Sequence, residues 1–137
     1  MLGSYATPGS PVMTVNECTS AVIQAAMRVH SILGPGLLET AYKRCLALEL
    51  RKQGLLVEEE LELPVVYDGV CVEIAYRIDL LVNGVVIVEV KAVAKLLPVH
   101  QAQLLSYLRL SRHKIGLLIN FNVRHLREGI SRTVNGL

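Results

Sequence analysis

Ile78-Asp79-Leu80-Leu81-Val82 and, beyond Asn83-Gly84, Val85-Val86-Ile87-Val88-Glu89-Val90-Lys91 decide how this chain is read. Both runs are dense in aliphatic and β-branched residues, the pattern of strands buried on both faces. The Asn-Gly pair between them is a strong hairpin signal. Yet Asp79 interrupts the first run, and Glu89 and Lys91 interrupt the second. An unpaired buried charge costs several kcal/mol or more, so three ionisable groups on neighbouring strands point to a shared partner. A metal ion held by Asp79 and Glu89, with the Lys91 ammonium beside it, meets that need and suits hydrolysis of a phosphodiester. An internal salt bridge made by Lys91 is the competing explanation, since buried ion pairs occur even though they seldom add net stability.

Glu89 and Lys91 are two apart on a strand and share one face, and a common site requires Asp79 to share it too. A two-residue loop at Asn83-Gly84 pairs Val82 with Val85 and sets Asp79 opposite Val88, away from Glu89. A three-residue loop, Val82-Asn83-Gly84, pairs Leu81 with Val85 instead. Asp79 then lies opposite Ile87 and points to the side of Glu89. The site therefore predicts a bulged or longer turn, and opposite faces for Asp79 and Glu89 would rule it out.

Working outward, Thr14 and Glu17 have capping-box spacing, and Val22, Ala25, Ala26, Val29, Ile32 and Leu33 recur at helical spacing. Gly34-Pro35-Gly36 ends that helix. A second helix is expected from about Leu37 to Gln53, with Leu38, Ala41, Cys45 and Leu48 inward. A strand from about Leu55 to Tyr67 follows, and Pro64 in it argues for an edge or an irregularity. Asp68-Gly69 turns the chain into a second strand, Val70 to Val82. After the third strand, Pro98 opens a crossover helix to about Leu110 with Leu104, Leu105 and Leu108 inward. Ile115 to Phe121 is apolar enough for a central strand. Val123 to Leu137 is expected to be a short helix or irregular. The order is α/β: helix, three antiparallel strands, a crossover helix and a fourth strand that can pair parallel, giving a mixed sheet with helices on both faces.

A length of 137 residues suits one domain, 14–137, behind a flexible Gly-, Ser- and Pro-containing tail, 1–13. No apolar run reaches the roughly 18 residues of a membrane span, and the first residues lack signal-peptide character. Cys18, Cys45 and Cys71 are odd in number and without CxxC spacing, as expected of thiols in the cytoplasm. The net charge of +2 hides an asymmetry: Arg109, Arg112, Lys114, Arg124, Arg127 and Arg132 face only Glu128 in the C-terminal stretch. Such a basic third suits a polyanion or simply a solvated surface.

Glu39 and Tyr42 share a helix face, and a carboxylate in the first helical turn is also favoured by the dipole alone. His100, Gln103 and Tyr107 form one polar stripe on the crossover helix, of interest if it borders Lys91. His30 near a helix end suits capping as well as catalysis. The four histidines show no metal-ligand spacing, and no nucleophilic triad stands out.

Gly36-Leu37-Leu38-Glu39-Thr40-Ala41-Tyr42 resembles the signature of the GxxExxY protein family. Arg77–Val82, Val88–Ala92, Gln103–Leu108 and Gly116–Asn122 match its later blocks in order, over about Val22 to Val134. The family is placed in the PD-(D/E)XK nuclease superfamily, whose restriction-endonuclease-like core has the αβββαβ order. The resemblance implies that Asp79 and Glu89 bind Mg²⁺ or Mn²⁺, with Glu39 and the Val90 carbonyl as further ligands, and that Lys91 and Gln103 serve catalysis. Tyr42, His100, Tyr107, Arg109, Arg112 and Lys114 are the candidate substrate contacts, from their helix stripes and their positive charge. The expected partner is nucleic acid, DNA rather than RNA, with no membrane and with a homodimer as the assembly. A non-catalytic binding module or a scaffold on the same fold is the alternative, and bound metal at Asp79 and Glu89 separates them.

Overall fold

A computed structural model describes residues 13–136. The expected tail, 1–13, lies outside the described residues except for Met13. Thr14 starts α1 (Val15–Leu33): its Oγ1 accepts the Glu17 N–H at 3.1 Å, and the Glu17 carboxylate accepts the Thr14 N–H at 2.8 Å. This reciprocal box satisfies two otherwise orphaned donors. Gly34, at φ +68°, ends the helix. α2 (Glu39–Lys52) is shorter than expected and rotated about its axis. Leu38 and Leu48, expected inside, are 81% and 60% exposed, whereas Tyr42, Leu46, Ala47 and Leu50 face the core. The Tyr42 ring decides the rotation by stacking on Phe121, with centroids 4.7 Å apart and planes 8° from parallel, which buries a large aromatic surface.

Five strands, β1 (Val57–Tyr67), β2 (Val70–Val82), β3 (Val86–Lys91), β4 (Ile115–Asn120) and β5 (Ile130–Val134), form one sheet in the order β1-β2-β3-β4-β5. Neighbours are antiparallel except β3 and β4, which α3 (Pro98–Ser111) connects as a parallel crossover. One core joins α1 and α2 to Leu80, Val82, Val86, Val88 and Val90. A second joins Leu104 and Leu108 of α3 to Ile78, Leu81, Ile87 and Leu118 on the opposite face. The expected α/β architecture, a mixed sheet with helices on both faces, is therefore present. Gly116 lets α3 approach β4 closely, since a Cβ there would lie 2.7 Å from Leu104 Cδ1.

Two details differ from expectation. The C-terminal stretch opens with a short helix, as expected, a 3-10 turn (Leu126–Gly129), but continues as the unexpected strand β5. The β2–β3 turn is longer than two residues, as required, but its loop is Asn83-Gly84-Val85: Val82 pairs with Val86. The Val85 N–H closes the turn on the Val82 carbonyl at 3.1 Å, with Asn83 at φ +51° and Gly84 at φ +68°. Val85 is then an extra residue before pairing resumes. Asn83 is held by Leu56, donating its N–H to the Leu56 carbonyl and accepting the Leu56 N–H. Pro64 coincides with a register shift between Leu63 and Val65 on the edge strand β1, as its missing donor predicts.

Candidate active site

β2 and β3 pair as far as Leu80 and Val88. One step further, where Asp79 comes opposite Glu89, side chains replace backbone in the ladder. The Asp79 N–H donates to Glu89 Oε2 at 2.8 Å, and the Val90 N–H donates to Asp79 Oδ2 at 2.8 Å. Each carboxylate thus takes the backbone donor of the opposite strand, and the pair fills a fork between the strands. Such backbone bonds fix the orientation of both carboxyl groups. The geometric requirement set by the sequence is met: the two acids meet. Asp79 is 9% exposed and Glu89 4%.

Two lysines act on this fork. Lys43, on α2, places Nζ 3.3 Å from Asp79 Oδ1 and 2.7 Å from Glu60 Oε2. Burial pulls the Lys43 ammonium toward neutrality, but its bond to Glu60 and the Asp79 and Glu60 charges outweigh that and hold its pKa above the ordinary lysine value. Lys91 makes no ion pair among the described residues, so the internal Lys91 salt bridge is absent; its charge still acts on Glu89. Burial, and next the adjacent Asp79 charge, push the Glu89 carboxyl up to about 8, against the weaker pull of its hydrogen bond and of the two lysines. Metal-free, Glu89 therefore keeps a proton near neutrality. Two buried carboxyl groups side by side, hard oxygen donors once both are ionised, fit Mg²⁺ or Mn²⁺, whose charge would hold both in the ionised form. No three His, Cys, Asp or Glu converge on one point among the described residues, so backbone, water or substrate oxygens would complete the coordination, as Mg²⁺ prefers.

The other expected residues fall into two groups. Tyr107 is buried on α3, and its phenol pKa is raised by burial and by the Glu89 and Asp79 charges, so it borders the fork. Gln103, one turn earlier, lines a cleft with Tyr107, Tyr76 and Ser106. Glu39 opens α2 one turn before Lys43, on the stripe that faces Asp79. His100 accepts the Leu97 N–H on Nδ1 at 2.9 Å and so caps α3. Tyr42 is fully buried; its hydroxyl donates to the Gly34 carbonyl at 2.6 Å and accepts the Leu37 N–H at 3.0 Å, which fixes the turn before Glu39.

Arg109, Arg112 and Lys114 lie elsewhere. Lys114 precedes Ile115, which pairs with Val86 at the start of β3, whereas Lys91 pairs with Asn120 at its end. Five strand steps, roughly 16 Å, separate the two ends. Exposed bases at the carboxylate end include Lys95, just after β3, and Arg124, His125 and Arg127, in the segment after β4. That segment is tied down by Asn122 Oδ1, which accepts the Gly36 N–H at 3.2 Å, and by His30 Nε2, 2.7 Å from the Val123 carbonyl. Sequence reasoning also missed Lys43 and Glu60. Lys43 carried a signal, its i+4 spacing from Glu39; Glu60, inside a run of three glutamates, carried none.

A family model described as the PD-(D/E)XK nuclease superfamily matches residues 16–133. The chain belongs to the PD-(D/E)XK nuclease superfamily. No curated protein and no solved structure matches it. Membership in PD-(D/E)XK suggests a nuclease acting on nucleic acid, in a superfamily that generally uses divalent metals. Among the described residues of this PD-(D/E)XK chain, no helix is long and apolar enough to cross a membrane.

Proposed function

We propose that this PD-(D/E)XK chain is a Mg²⁺- or Mn²⁺-dependent nuclease of the GxxExxY group that hydrolyses phosphodiester bonds, in DNA rather than RNA. The reciprocal clamp between Asp79 and Glu89 carries this reading, because it holds two buried acids side by side, and a divalent cation would allow both to ionise. Asp79, Glu89 and the Val90 carbonyl would hold the metal, and Glu39 would reach it through water. The ion, when bound, polarises the phosphate and lowers the pKa of a water.

The chain's own residues supply the rest. Asp79 and Glu89 are oriented by backbone donors before any ion binds. Lys91, two residues beyond Glu89 and in no ion pair among the described residues, donates to the attacking water or to the charge developing on phosphorus-bound oxygen. Tyr107 borders the fork from α3, Gln103 lines the adjoining cleft with it, and His100 holds the start of that helix. Three free cysteines favour a reducing cytoplasm. The assembly we propose is a homodimer, for which Val66, Tyr67, Val70 and Ile74 on the β1–β2 arm offer exposed apolar surface; sedimentation of the purified chain reads it directly.

Purified protein with Mg²⁺ or Mn²⁺ should cut at least one substrate in a panel of plasmid, linear duplex, single-stranded DNA and RNA. Lys91→Ala should lower that rate by about 100-fold or more while retaining much of the metal binding. A Lys91→Ala protein that cuts at the wild-type rate removes Lys91 from the mechanism.

A further inference from the structure

Lys43 and Glu60 belong to none of the roles above, yet they meet the fork from two elements. Glu60 lies on β1, between the pairs Glu59–Leu80 and Leu61–Ile78, and so stands across from Asp79. Its backbone is left-handed, at φ +52°, unusual for a non-glycine residue and costing about 1 kcal/mol or more inside a strand. That conformation accompanies a carboxylate 2.7 Å from the Lys43 ammonium, which also lies 3.3 Å from Asp79 Oδ1. The shorter bond is the one to Glu60.

We propose that Lys43 is a built-in counter-ion that occupies the metal-facing oxygen of Asp79, and that Glu60 is the station that retains Lys43 when a divalent cation displaces it. The inference rests on the metal-binding reading of Asp79 and Glu89. An ammonium 3.3 Å from a carboxylate oxygen repels a divalent ion bound to that oxygen at about 2.1 Å. The lysine must therefore move or weaken the ion. Glu60 gives it a place to go, since Lys43 can release Asp79 and remain neutralised by a bond it already makes. In this arrangement Lys43 and Glu60 position the site and set its affinity for metal without binding the metal themselves.

The test is Mg²⁺ titration calorimetry on the full chain. Lys43→Gln should tighten Mg²⁺ binding about tenfold, because a like charge beside the ion is gone. Glu60→Gln should weaken it about threefold to tenfold, because Lys43 then has Asp79 alone. In the double variant the Glu60 substitution should have no further effect, the non-additivity expected when one residue acts through the other. Lys43→Arg, which keeps the charge, should stay within about twofold of wild type and serves if Lys43→Gln does not fold. Weaker or unchanged binding in Lys43→Gln, or a Glu60→Gln loss that persists without Lys43, overturns the inference while leaving the metal site standing. Absence of Mg²⁺ binding in wild type and all variants overturns both.

Discussion

At the scale of single residues, Glu89 carries the sharpest consequence. Its folded pKa, about 8, lies above the ordinary carboxylate value of 4.5. Between those values the folded chain holds a proton that the unfolded chain has released. Stability of the metal-free protein therefore falls as pH rises from about 4.5 through about 8, by an amount on the order of a few kcal/mol. Glu89→Gln should flatten that fall and raise the melting temperature at pH 8, measured by thermal denaturation monitored by circular dichroism with chelator present. A wild-type melting temperature that climbs across this range contradicts the assignment. Mg²⁺ should restore the lost stability in wild type and not in Glu89→Gln, since a ligand that binds only the folded state stabilises it. Asp79, Glu89 and Lys91 were legible in sequence because charge inside an apolar strand is costly. Glu60 was not, because a glutamate in an acidic run looks like an ordinary solvated residue, and Lys43 offered only its i+4 spacing from Glu39.

At the scale of elements, the fork depends on how β2 and β3 are joined. A longer turn was legible from the need to bring Asp79 to Glu89, but its register was not. Asn83 is anchored to Leu56 by two bonds, a tertiary contact that hairpin rules do not contain. The rotation of α2 was missed for a similar reason, since its apolar stripe was counted on aliphatic residues and Tyr42 was set aside as a functional candidate. The strand β5 was hidden in a short, weakly alternating stretch. Yet β4 is buried along its whole length, and a strand buried on both faces and flanked by β3 alone would leave an edge exposed. The packing of α3 on β4 gives a further check. Gly116→Ala drives a methyl group into Leu104 and should cost about 1–3 kcal/mol, read as a lower denaturation midpoint in urea with an unchanged slope. A neutral effect would mean that α3 sits further from β4 than described.

At the scale of the whole molecule, the sheet has a carboxylate end and a hairpin-turn end. The fold class and mixed topology were legible from element order, but the end on which each base lies depends on which way α3 and β4 run beside β3. Arg109, Arg112 and Lys114 stand at the turn end, and Arg124 and Arg127 stand at the carboxylate end. A duplex seated over the fork should therefore lean on the latter pair. Fluorescence anisotropy with a short duplex and Ca²⁺ should show the slope of log K against log salt reduced by about 2 in Arg124→Gln/Arg127→Gln. The same slope should be nearly unchanged in Arg109→Gln/Arg112→Gln, and the reverse pattern would place the substrate on the other end of the sheet. The central claim is that the fork is a metal site, and the most direct measurement is Mg²⁺ and Mn²⁺ calorimetry on wild type and on Asp79→Ala/Glu89→Ala. Binding by wild type that disappears in the double variant is the predicted result. Binding that survives the double substitution, or no binding by wild type even with a short duplex and Ca²⁺ present, contradicts it.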